Sequence, residues 1–161
     1  MMMENSANEI KRAITIYTDG SCHTQLKSGG WAAILFIDQQ KIVLEGKDKN
    51  TTHHRMELTA VIRSLEYLRM NDRLQEPIHI YSDSQYVVDL IKRKDRLAAS
   101  NFLTNKLNSV RNVDLVKELI AFMDKPAIEF IKIKSHQKLS TTDSILNREV
   151  DLLARQMMRS L

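Results

Sequence analysis

Cysteine, glycine and proline are all scarce in this chain. The only cysteine, Cys22, excludes an intrachain disulfide and suits a reducing cytoplasm. Four glycines and two prolines in 161 residues leave little material for long flexible linkers. No apolar run approaches the roughly 20 residues needed to cross a bilayer, so no membrane association is expected. The opening "MMMENSANEIKR" lacks the apolar centre of a secretory signal and is expected to be a flexible tail over residues 1–12. There is no internal repeat and no low-complexity tract. The expectation is one cytoplasmic domain over 13–161.

What is present is an ordinary globular balance, 43% hydrophobic and 27% charged, on a chain long enough for a sizeable core. Net charge is +4, but it is unevenly spread. Residues 92–111, "KRKDRLAASNFLTNKLNSVR", carry six basic side chains against one aspartate. The rest of the chain is close to neutral. A local basic segment of this kind is either a solvated helix face or a grip for a polyanion.

Periodicity orders the elements. "AITIYTD" (13–19) reads as a central strand, followed by a loop "GSCHTQLKSGG". "WAAILFID" (31–38) and "KIVLEGK" (41–47) read as a hairpin. "RMELTAVIRSLEYLRM" (55–70) carries Leu58, Val61, Ile62, Leu65 and Leu68 at helical spacing. "PIHIYSD" (77–83) is a strand leading into the helix "SQYVVDLIKR", with Ser84 as its expected cap. Further helices are expected over 97–110 and 113–124, a strand over 127–134, and a last amphipathic helix from 145. This order predicts an α/β fold. Its five-stranded mixed sheet has an antiparallel meander of three strands plus two parallel strands, flanked by helices.

Two strands end alike, "IYTDGS" and "IYSDSQ". If they are parallel neighbours, Asp19 and Asp83 lie together at the C-terminal edge of the sheet, where open α/β sheets bind ligands. Gly20 would then let the chain turn away. Glu57, placed in the first turn of its helix, leans inward beside Val61, and Asp151 flanks the buried face of the last helix. Taken singly, each acid is as readily a cap, turn or surface residue. Together, four inward-leaning carboxylates repel unless protons or cations intervene. Their all-oxygen character favours Mg²⁺ or Mn²⁺ over zinc. Such a set can hold two ions that activate water and stabilise a leaving oxygen at a phosphodiester.

"YTDGSC", "TTHHRMELTAV", "YSDSQYV", "IKIKSH" and "NREVDLLA" stand in an order and at a spacing similar to the type 1 ribonuclease H family. The resemblance covers about residues 13–158. It implies a ribonuclease H-like fold and an endonuclease that cuts the RNA strand of RNA–DNA hybrids, leaving 5′-phosphate and 3′-hydroxyl ends. It implies two Mg²⁺ ions, with Mn²⁺ as a substitute, held by Asp19, Glu57, Asp83 and Asp151. In that pattern Asp19 bridges both ions, Asp151 belongs to the ion that presents water, and Glu57 and Asp83 complete the second. His136, in "KSH", takes the position of a loop histidine that assists proton transfer or product release.

The same resemblance places Gly20, Ser21, Cys22, His23, Ser84, Gln85 and Asn147 near the substrate. His53 and His54 stand where the family often has paired asparagines. Lys92, Arg93 and Lys94 belong to a basic segment in the position of the family's protruding handle, where Phe102 is the only aromatic residue. The chain is expected to act as a monomer. Two other readings stay open: a transposase- or resolvase-like DNA nuclease on the same fold, and a non-catalytic hybrid-binding module.

Overall fold

A computed structural model of the chain describes residues 13–124, 127–134 and 138–160. The expected tail over 1–12 and the loop residue His136 lie outside the described residues. The elements in chain order are strands β1 (Ile14–Cys22), β2 (Gly29–Ile37) and β3 (Gln40–Asp48), helix α1 (His53–Met70) and strand β4 (Ile78–Ser82). They continue with helices α2 (Gln85–Lys92), α3 (Lys94–Ala99) and α4 (Val113–Phe122), strand β5 (Ile128–Lys132) and helix α5 (Thr142–Arg159). The strands form one mixed sheet in the order β3-β2-β1-β4-β5. β1 is central, antiparallel to β2 and parallel to β4. This is the architecture that the sequence predicts.

Alternation along β1 and β4 divides the core between the two faces of the sheet. Ile14, Ile16, Ile78 and Ile80 face the larger apolar layer, which also contains Leu58, Leu65 and Leu68 of α1 and Leu119 of α4. Tyr17 faces the smaller layer with Ala32, Ile34, Val150 and Ala154, under α5. There the Tyr81 ring stacks on Tyr17 at 4.8 Å, and the Tyr17 hydroxyl donates to Asp143 in the first turn of α5. Burial first, then that aspartate, pushes the Tyr17 hydroxyl's pKa up, so it stays a donor.

Several boundaries differ from the periodic pattern, and three of them bear on the site. β1 does not stop at Asp19; it runs on to Cys22, paired with Gly29–Trp31 of β2. α1 begins at His53, because the Thr52 side chain accepts from Arg55 N–H and caps it there. α5 begins at Thr142, because Thr141 and Ser144 form a reciprocal capping box. The helix expected over 97–110 does not form. α3 ends at Ala99, and Asn101, Phe102 and Leu107 take positive φ values of 54°, 60° and 61°. Ser100, Asn101, Thr104, Asn105 and Asn108 favour such turns over helix. A short Leu103–Ser109 bridge closes the segment instead.

Arg55 of α1 also clamps Asp114 of α4 through two hydrogen bonds of 2.9 and 2.8 Å. The guanidinium holds the Asp114 carboxyl at about 2, below its ordinary 3.8. The clamp is therefore fully stabilising above the ordinary value and fades as pH falls toward 2. The Asp114 side chain is 61% exposed, so solvent keeps the energy small. Urea unfolding should show Asp114→Asn costing about 0.5–1 kcal/mol at pH 7, less near pH 2, and nothing once the pH is well below 2.

Candidate active site

The site grows from the end of the β1–β4 pairing. Thr18 is the last β1 residue opposite β4, facing Ser82. One residue on, Asp19 still pairs with Ala32 of β2, but β4 has ended beside it. Asp19 therefore sits inside a strand with one flank open, and only 6% of it is exposed. Its Oδ1 accepts from the Gly20 N–H at 2.8 Å. Gly20 makes no turn. It allows two backbones to meet: a Cβ there would lie 2.4 Å from the Glu57 nitrogen and 2.5 Å from the Met56 carbonyl carbon. Gly30 of β2 serves the opposite face, where a Cβ would lie 2.3 Å from the backbone of Ala154 and of Met158 in α5.

These contacts bring the other acids in. With α1 starting at His53, Glu57 lies past the first turn rather than in it, so the helix end does not account for its charge. It is 6% exposed. Its Oε2 accepts from the Ser84 hydroxyl and its Oε1 lies 2.7 Å from His53 Nε2. Asp83 follows β4 directly, and Ser84 caps α2 by accepting from Val87 N–H at 3.2 Å. Asp151 of α5 comes in beside Asp19, and Asn147, one turn earlier, comes in beside Asp83.

All four carboxylates line one open cleft of about 740 Å³. Burial holds the Asp19 carboxyl well above the usual range, with the charges of Asp83 and Asp151 adding to it. Burial likewise raises Asp83, with Glu57 and Asp151 adding and the Asn147 hydrogen bond opposing. Four acids thus share a space in which negative charge is costly.

The cleft also collects most of the other expected residues: Gly20, Ser21, Cys22, His23, His53, His54, Ser84, Gln85 and Asn147. Several have partners of their own. The His23 Nδ1 accepts from the Leu26 N–H at 3.1 Å, and Gln85 donates to Asp89 at 2.7 Å. The two adjacent histidines diverge. His53 turns to Glu57, while His54 stacks on Tyr86 at 4.0 Å with the rings 11° from parallel. Burial pushes the Cys22 thiol up, which does not suit a nucleophile. Lys92, Arg93 and Lys94 do not line the cleft. They lie at the α2–α3 junction, with Arg93 exposed.

A profile of the RNase H family matches residues 11–159. A ribonuclease H of Caldicellulosiruptor saccharolyticus is 36% identical over 154 residues, spanning 93% of this chain and 99% of the relative. The chain belongs to the ribonuclease H family. A ribonuclease H of Moorella thermoacetica is 35% identical over 152 residues, spanning 93% and 94% of the two chains. Among solved structures, the PFV RNase H domain has a TM-score of 0.74 at 22% identity, covering 93% of this chain and 96% of that one. A foamy viral protease–reverse transcriptase in complex with RNA/DNA hybrid has a TM-score of 0.78 at 17% identity, covering 94% of this chain and 21% of that one. At these identities the structural likeness is one of fold.

Within this family framework, the cleft holds residues that the motif reading passed over. Lys134, Arg148, Arg155 and Arg159 all line it. Arg148, Asp151 and Arg155 are spaced i, i+3 and i+7 on α5, so one helix face carries all three. That spacing was a usable signal once Asp151 was singled out. Lys134 had none, because the loop that follows it does not show where the end of β5 leads.

Proposed function

We propose that the protein is an endonuclease that hydrolyses the RNA strand of RNA–DNA hybrids, leaving 5′-phosphate and 3′-hydroxyl ends. The observation that carries this reading is the meeting of Asp19, Glu57, Asp83 and Asp151 in one cleft of a ribonuclease H fold. Relatives of nearly full-length overlap bear the name ribonuclease H, which favours it over a DNA nuclease or an inert binding module.

The donor set fits hard divalent cations. Every donor is a carboxylate oxygen, and the raised Asp19 and Asp83 carboxyls mark a site where added positive charge would relieve a cost. Asp19, Glu57, Asp83 and Asp151 would hold two Mg²⁺ ions, with Mn²⁺ as a substitute. When bound, the ions would supply water activation and stabilisation of the leaving oxygen. His136 is assigned proton handling from its motif position. The cleft wall from Ser21 to His23, with His54, Ser84 and Gln85, is assigned to the sugar and base edges, where a 2′-hydroxyl distinguishes RNA from DNA.

The test is a labelled hybrid incubated with protein and Mg²⁺, beside duplex DNA and duplex RNA. Cleavage of the RNA strand of the hybrid alone is expected. Comparable cutting of duplex DNA, or tight hybrid binding with no turnover, would overturn the reading.

Lys92, Arg93 and Lys94 stand off the cleft, so their contribution is grip rather than chemistry. Reversing all three charges should raise KM more than it lowers kcat and should flatten the salt dependence of hybrid binding. Steady-state kinetics at several salt concentrations measure both. A loss confined to kcat would place this segment at the reacting bond.

A further inference from the structure

The four carboxylates of the cleft are not compensated alike. Among the described residues, Asp19 has only the Gly20 N–H to offset burial and its acidic neighbours. Asp83 has the Asn147 hydrogen bond and the more distant charge of Lys132. Glu57 is occupied on both oxygens, by His53 and Ser84. Among the described residues, Asp151 alone of the four has a permanent cation in contact: its Oδ1 lies 3.2 Å from Arg155 Nε, one turn along α5. Among the described residues, no three Asp, Glu, His or Cys side chains yet stand together as a ligand shell. The acids are in one cleft, but Asp151 is drawn along its own helix.

We propose that Arg155 is a built-in counter-ion of Asp151, which an incoming divalent cation must displace. This rests on the divalent-cation reading above. Aspartate followed by arginine at i and i+4 is a favourable order on a helix, so the pair forms without help from the core. The Arg155 side chain is 45% exposed and lines the cleft, so it can swing to solvent without disturbing α5 packing. Its charge acts twice in the same direction. It holds the Asp151 carboxylate along the helix before a cation arrives, and it repels the cation afterwards. Arg155 is thus a positioning residue that lowers cation affinity.

The test is calorimetric titration of Mg²⁺ into the intact protein without nucleic acid. Wild type, Arg155→Met, Arg155→Lys and Asp19→Asn are compared at low ionic strength. Methionine keeps the apolar stem and removes the charge; lysine keeps the charge. Arg155→Met should bind Mg²⁺ about two- to fivefold more tightly, on the scale of a partly exposed ion pair. Arg155→Lys should stay close to wild type, and the gap should close at high salt. Unchanged or weaker binding by Arg155→Met, with binding lost in Asp19→Asn, would overturn the counter-ion role and leave the cation site standing. Binding equal in wild type and Asp19→Asn would overturn both.

Discussion

Asp19→Asn should abolish hybrid cleavage and at the same time make the metal-free protein more stable. The two effects have one origin. Asp19 is the most deeply committed acid of the cleft: 6% exposed, within a strand, and next to the charges of Asp83 and Asp151. In the metal-free state that charge is a burden, because burial removes water and the neighbours repel it. Asparagine keeps the shape and still accepts the Gly20 N–H, but it carries no charge. The gain should be on the order of 1 kcal/mol or more, at about 2–4 °C per kcal/mol in a domain of this size.

Activity should move the other way, by about a thousandfold or more, because the same charge is what would hold the cations and the transition state. Calorimetric melting in EDTA and in Mg²⁺ separates the two. The variant should melt above wild type in EDTA. The gap should narrow or reverse in Mg²⁺, where only wild type gains the full binding stabilisation. A variant less stable than wild type in EDTA would show that Asp19 is a structural cap rather than a stored repulsion.

The second large effect is expected at a residue with no side chain. Gly20→Ala should cost about 2–3 kcal/mol and lower the melting temperature by roughly 5–10 °C. The added Cβ would stand 2.4 Å from the Glu57 nitrogen and 2.5 Å from the Met56 carbonyl carbon. Both are backbone atoms of α1, so relief requires the helix to move. That helix carries Glu57, and the strand carries Asp19. A shift on the order of 1 Å between them should cost roughly a hundredfold in cleavage even at temperatures where the protein stays folded.

Gly46→Ala is the natural control. Its Cβ would meet the Trp31 ring at 2.5 Å, and that partly exposed side chain can rotate. Its stability cost should be smaller and its activity near normal. Full activity and unchanged stability in Gly20→Ala would show that β1 and α1 do not need this close approach.

These two residues also mark how far the sequence could be read. The strand and helix order followed from periodicity, because the large apolar side chains Ile14, Ile16, Leu58, Leu65 and Val150 repeat at spacings that only one regular structure satisfies. The four acids were legible as a set through their motifs. Gly20 reads locally as a turn, because a glycine after a strand aspartate signals one, yet it lies within β1. Its actual role depends on α1, which arrives from far along the chain. The basic segment "KRK" reads as a nucleic-acid grip in a handle position and lies off the cleft, while Arg148, Arg155 and Arg159 resemble ordinary surface cations and line it.

By itself the sequence determined the order of the strands and of most helices and the identity of the acids, since propensity, alternation and capping act over a few residues. Only the tertiary structure decided that β1 runs past Asp19 to Cys22 and that backbones meet at Gly20 and Gly30. It alone decided that Asp151 stands in the cleft beside Asp19 while pairing with Arg155. Burial, desolvation and mutual repulsion depend on which distant segments pack together, and no local pattern encodes that sum.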